Sequence, residues 1–239
     1  MDKLLVALDV ETGQRAIDLA AALTGVAGGF KIGSRLFTRE GPELVRTLGA
    51  SGARVFLDLK FHDIPNTVAQ AVDAAVHTGA WMINVHASGG IPMMTAAARA
   101  GREAAERLRQ PPPLLIAVTV LTSMDEAGLR DTGIQRSLPD HVVALARMAQ
   151  AAGLDGVVAS PQETASIREA CGDPFVIVTP GIRGASAGIE RNDQRRTMGP
   201  AEALGAGASY IVVGRPIIAA PDPRGAAETI AGEMERDGR

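Results

Sequence analysis

The feature that most constrains this chain is a repeat of pattern rather than of letters. Eight short apolar runs recur, and a helical stretch follows each one. The runs are LLVALDV (4–10), GGFKIG (28–33), RVFLDLK (54–60), WMINVHA (81–87), LLIAVTVL (114–121), GVVAS (156–160), FVIVTPG (175–181) and SYIVVG (209–214). They are aliphatic and β-branched with little polar alternation, which is the pattern of parallel strands buried on both faces. Between them lie amphipathic stretches such as 91–109 and 140–152. Glycines stand just before the next run in LGASGARVF, HTGAWMI, AAGLDGVV and LGAGASYI, where a left-handed residue ends a helix. QPPPLL reads as a brief rigid loop, and no biased or linker-like segment interrupts the series, so residues 1–239 are expected to form a single domain.

Eight such units in 239 residues predict a (β/α)8 TIM barrel, whose typical length is about 250 residues. A doubly wound open sheet is the alternative. The number of units argues against it, as does the lack of a G-x-G-x-x-G turn after the first run. With aromatics at only 3% and hydrophobic residues at 46%, the core must be built from Val, Ile, Leu and Ala.

Composition also narrows the partners. The net charge is -3 and no Lys/Arg stripe forms, which argues against nucleic acid, since phosphate-backbone binding needs concentrated positive charge. No apolar run approaches the roughly 20 residues that cross a bilayer, so no membrane association is expected. The chain enters strand-like sequence at once, with no cleavable leader pattern. Cys171 is the single cysteine, so no intrachain disulfide is available. It reads as packing at a helix end, and a cytoplasmic location is expected.

In a barrel, chemistry gathers at the carboxyl ends of the strands, and the charges of this sequence fall there. Asp9 ends the first run, Lys31 lies in the second, and Asp58 and Lys60 close the third. Asn84 and His86 end the fourth run, and Thr119 and Thr122 lie at or beyond the end of the fifth. Side chains alternate along a strand, so Asp58 and Lys60 share one face, as do Asn84 and His86. Each has a bland reading. A lone charge at a strand end is often a solvated loop residue, Asp63 before IPNTV reads as a helix N-cap, and a lone histidine is more often structural than catalytic. The bland readings fail for the set, because ionised groups inside apolar strands are costly unless paired.

The composition of the cluster limits its chemistry. Lys31 and Lys60 would repel a divalent cation, and no His-plus-carboxylate spacing reads as a ligand set, so no metal is expected. A lysine fixed between carboxylates is favoured as the ammonium, a positioned proton donor rather than an amine ready for a Schiff base. Such a site suits protonation of a carbanion. VVGRPI then places Gly214 and Arg215 at the start of a short helix after the eighth run, where arginine and backbone N–H groups make an anion site. The long segment GIRGASAGIERNDQRRTMG after the seventh run reads either as a disordered surface loop or as a lid that closes over a phosphate, and its position beside the anion site favours the lid.

These residues resemble the orotidine 5'-phosphate decarboxylase family. DLKFHDIPNTV carries the resemblance, with ALD at the first strand, KIG at the second, LTS after the fifth, PGIR after the seventh, DQRR in the lid and VGRPI after the eighth. The D-x-K-x-x-D core is shared with related sugar-phosphate decarboxylases, whereas I-P-N-T and the arginine-rich lid are more specific. The resemblance implies a cofactor-free homodimeric barrel converting orotidine 5'-phosphate to UMP and carbon dioxide. By it, Lys60 is the catalytic acid, with Asp58 and Lys31 completing the charged network. Asp63 and Thr67 reach into the partner subunit's site, and Asp9 and Lys31 hold the ribose. Thr122 and Gln194 contact the pyrimidine or lid, and Arg183, Gly214 and Arg215 hold the phosphate.

Two rivals remain at this point. A metal-dependent sugar-phosphate decarboxylase or epimerase on the same barrel would lose activity in a chelator and should lack I-P-N-T and D-Q-R-R. A non-catalytic phosphate-binding barrel would keep VGRPI but has no reason to hold Lys60 between two aspartates.

Overall fold

The structure, a computed structural model, describes residues 2–182 and 198–235. Eight parallel strands close into a barrel in sequence order, each bonded to the next and the last to the first. They are β1 (Leu4–Ala7), β2 (Gly29–Gly33), β3 (Val55–Phe61), β4 (Met82–His86), β5 (Leu114–Val118), β6 (Gly156–Val158), β7 (Val176–Thr179) and β8 (Tyr210–Val213). The expected (β/α)8 barrel is therefore the fold.

Two-sided burial explains why the strands read as continuous apolar runs. Along β1, Leu4 and Val6 face the helices while Leu5 and Ala7 face the barrel axis. The inner cluster joins Leu5, Ala7, Phe56, Met82, Ile116, Val178 and Val212. The outer cluster is larger and binds the barrel wall to the surrounding helices. Burial of a side chain such as Leu or Met contributes roughly 1.5–3 kcal/mol, and both layers are needed because each strand offers apolar side chains to both sides.

The helix-ending glycines behave as the sequence implies. Gly52, Gly79, Gly153 and Gly207 have φ between 78° and 104°, a region costly for a residue with a Cβ. The stretch expected over 91–109 is the helix Gly90–Leu108, and that over 140–152 is Leu138–Ala151. Several strands are shorter than their apolar runs. β1 stops at Ala7 and β5 at Val118, although the Leu8 amide still donates to Lys31 O (3.0 Å) and the Thr119 amide to Val158 O (3.1 Å). The chain thus leaves the sheet where its side chains turn from packing to chemistry. Among the described residues, no helix is long and apolar enough to cross a membrane.

Candidate active site

A cavity of about 460 Å³ opens at the carboxyl end of the barrel. Its floor is the inner core itself, since Ala7, Phe56 and Val212 belong to both and Val158 packs against that core. Its walls differ. Strands β1 to β3 and the turn after β1 supply Asp9, Lys31, Asp58 and Lys60, whereas the side near β5 to β7 is lined by Val118, Val120, Leu121, Ala159, Pro180 and Ile182. Thr122, Gly214 and Arg215 complete the lining.

The charged wall is one connected chain. Lys60 Nζ lies 2.7 Å from Asp58 Oδ1, and Lys31 Nζ lies 3.2 Å from Asp58 Oδ2 and 3.4 Å from Asp9 Oδ1. Asn84 Nδ2 donates to Asp58 Oδ1 at 2.6 Å, so both oxygens of this buried carboxylate are held. Burial pushes the Asp58 carboxyl up, but Lys31, Lys60 and the hydrogen bonds from Lys60 and Asn84 together outweigh it and hold the group below the usual carboxylate range. Gly33 makes room for this arrangement. A Cβ there would stand 3.3 Å from Lys31 Nζ and 3.5 Å from Asp9 Oδ1.

Local backbone geometry sets the direction of Lys60. In the pairing of β3 with β4, Leu57 faces Ile83 and Phe61 faces Val85, so four steps on one strand oppose two on the other. This bulge frees the segment Asp58–Lys60 from the ladder with β4, although Asp58 stays in register with Gly33 of β2, and Lys60 sits at φ 54°, in the left-handed region. A non-glycine residue there is uncommon and concentrates at functional sites. The amide of Lys60 donates to the side chain of Asn84, at 2.8 Å from Oδ1, rather than to a strand carbonyl.

The structure therefore brings Asp9, Lys31, Asp58, Lys60, Thr122, Gly214 and Arg215 to one cavity. Asp63 and Thr67 do not line it. Both are exposed on the segment that runs from β3 into the helix Pro65–Val76, and Ile64 between them is 66% exposed. Arg183 and Gln194 lie outside the described residues.

Two expectations need correction. Asp63 is not the helix N-cap. Ile64 holds that position without a side-chain capping bond, and the Asp63 carboxylate accepts from the Ile64 amide at 2.6 Å. Thr119 does not face the cavity; it is buried and its hydroxyl donates to Val158 O at 3.0 Å. Odd and even positions of β5 face opposite ways, and Val118 takes the inner one.

Asn84 and Gly33 are the contributors that sequence reasoning left unassigned. A signal existed for Asn84, a polar residue at an inner position of the otherwise apolar MINV. His86, two residues on, is half-buried and tilts against His62 with ring centroids 5.4 Å apart. Burial first, then the His62 and Lys60 charges, push its pKa down against the pull of Asp58. Among the described residues, no three His, Cys, Asp or Glu side chains gather as a metal site would require.

A parallel barrel with paired lysines and aspartates gathered over an apolar floor at the carboxyl ends of its strands defines a class, the barrel enzymes. The chain matches the family described as Orotidine 5'-phosphate decarboxylase / HUMPS over residues 2–230. Orotidine 5'-phosphate decarboxylase from Moorella thermoacetica is 57% identical over 235 residues, covering 98% of this chain and 92% of its own. That from Syntrophotalea carbinolica is 53% identical over 232 residues, covering 97% of this chain and 94% of its own. The crystal structure of orotidine 5'-phosphate decarboxylase from Lactobacillus acidophilus superposes with a TM-score of 0.84 at 36% identity, covering 97% of this chain and 98% of that one. This chain belongs to the orotidine 5'-phosphate decarboxylase / HUMPS family.

Proposed function

We propose that this protein decarboxylates orotidine 5'-phosphate to UMP and carbon dioxide, the last step of pyrimidine nucleotide synthesis. The observation that carries the reading is the unbroken Asp9–Lys31–Asp58–Lys60 chain facing an apolar wall. Loss of the carboxylate as carbon dioxide leaves its electron pair on C6 of the pyrimidine, with no neighbouring carbonyl to delocalise it. The barrier must then fall through charge already in place, towards the upper end of the roughly 8–23 kcal/mol that enzymes achieve. Lys60 gives its proton to C6 and is left as the amine. Before the transfer Asp58 holds the Lys60 ammonium in position and is itself held by Lys31, and the apolar wall suits an uncharged leaving molecule.

Asp9 and Lys31 take the ribose hydroxyls, and Thr122 contacts the pyrimidine. Gly214 and Arg215 hold the phosphate together with Arg183, while Gln194 closes over the base. Asp63 and Thr67 serve the site of a second copy in a homodimer. Their exposure supports this, as does that of Ile64 beside them, an apolar side chain in water where a partner would cover it. The metal-dependent sugar-phosphate alternative is not favoured, since it leaves the two lysines of the wall without a task.

The test follows the ultraviolet absorbance of orotidine 5'-phosphate in excess chelator, for the parent and for Lys60→Ala. The expected result is conversion by the parent and a loss of about 10⁴-fold in the variant with an unchanged melting temperature. A folded parent that leaves the substrate intact defeats the reading.

A further inference from the structure

The bulge in β3 leaves the Lys60 amide without a strand partner, and a single side chain meets it. Asn84 is fully buried, and both ends of its amide are engaged with the reaction centre. Oδ1 accepts from the Lys60 N–H at 2.8 Å, and Nδ2 donates to Asp58 Oδ1 at 2.6 Å. One rigid group thus fixes the backbone from which Lys60 springs and the carboxylate to which its ammonium is paired. A Val or Ile at this inner position of β4 could neither accept from the Lys60 N–H nor donate to the Asp58 carboxylate.

We propose that Asn84 is a positioning residue for the decarboxylation, holding Lys60 in its left-handed conformation and Asp58 in register beneath it. The inference rests on the decarboxylase reading above. Asn84 does not line the cavity, so it acts through Lys60 and Asp58 and has no contact with substrate. Displacement of a proton donor by about 1 Å is enough to cost about 10²-fold in rate. The effect should therefore fall on kcat, with KM little changed.

Asn84→Asp separates this role from simple packing. The new side chain has nearly the same shape and still accepts from the Lys60 amide, but when ionised it has no proton to give Asp58. Full burial and the Asp58 carboxylate raise the pKa of the introduced carboxyl, and the nearby Lys60 and Lys31 ammonium groups oppose this only in part. His86 also lies within electrostatic reach of Lys60 and Asp58, with His62 against its ring. Once protonated, the introduced group donates as the amide did. We expect kcat to fall about 10²-fold at about pH 8 with KM within about threefold, and the ratio of variant to parent to recover about tenfold towards pH 6.

The parent is assayed alongside at each pH. A parent without activity defeats the decarboxylase reading itself. An active parent with a folded variant whose kcat stays within about threefold, or whose deficit is the same at every pH, overturns the role of Asn84. If Asn84→Asp does not fold, Asn84→Ala is measured instead. A loss in kcat of about 10²-fold with KM held supports the inference, and a loss confined to KM overturns it.

Discussion

The two ends of the barrel use cationic side chains in opposite ways, arginine at one and lysine at the other. At the amino end, positive charge is spent on the backbone. Arg168 donates through Nη1 to Gly172 O, Asp173 O and Phe175 O, and through Nε and Nη2 to Gly207 O, with Ser209 Oγ a further partner at 3.3 Å. Arg54 likewise donates to Gly28 O and Asp2 O and lies 4.7 Å over the Trp81 ring, which meets Tyr210 edge-on. At the carboxyl end, Lys31 and Lys60 bind carboxylates and line open space. A cation saturated by carbonyls holds two loops together and has nothing left to offer a ligand. A cation held by a carboxylate keeps its place and can still act on what enters the cavity.

That contrast can be broken from either side. Asp58→Asn keeps the shape but removes the charge that joins both lysines, and kcat should fall by about 10³-fold in the absorbance assay. The same variant sharpens the comparison in acid. Because the folded-state pKa of Asp58 lies below its ordinary value, its contribution to stability is present in full above the unfolded carboxyl range. That contribution is lost as pH falls through the folded value. Melting temperatures taken down the acid range should therefore decline less steeply in the variant than in the parent.

Arg168→Ala should do the reverse, leaving kcat alone and costing about 3 kcal/mol of stability. For a chain of this size that is a drop of about 6–12 °C in Tm. Arg168→Lys should recover little, because an ammonium cannot span the planar fork of carbonyls. A large fall in kcat with an unchanged Tm would abolish the distinction between the two ends.

The smallest effect expected is at His86. Its pKa is lowered in the folded protein, so the unfolded chain takes up a proton first as pH falls below about 6.5, and stability drops from there until the folded value is passed. His86→Asn should flatten that part of the profile by about 1–2 °C in Tm. An unaltered slope would mean that the histidine plays no part in the pH dependence of this end.

Much of this was legible in the chain. Two-residue periodicity is local, so Lys31, Asp58 and Asn84 could be set on the inner face from their strands alone, and the rim position of Gly214 and Arg215 followed from counting eight units. What escaped is non-local. Nothing in DLKFHD announces the bulge that turns Lys60 left-handed, because it arises from pairing with β4, and the bond from Lys60 to Asn84 crosses 24 positions. Arg168 in IREACGDP reads as an ordinary helix-surface residue, yet its partners include Gly207, 39 positions away. Thr119 misled because it is polar and near a strand end, and only the strand's facing shows that its hydroxyl is turned to Val158.

The alternating wall has one more consequence. Asp9, Lys31, Asp58 and Lys60 sum to zero, two negative against two positive. A multiply charged nucleotide approaching this mouth meets no net field from the quartet, only closely spaced opposite charges whose influence fades within a few ångströms. Long-range attraction has to come from elsewhere on the rim, where Arg215 is the further cation among the described residues that line the cavity. Salt in the buffer should accordingly weaken capture of the nucleotide far more than it slows the bond-breaking step, because ions in solution screen the approach but reach the shielded Lys31–Asp58 pair much less.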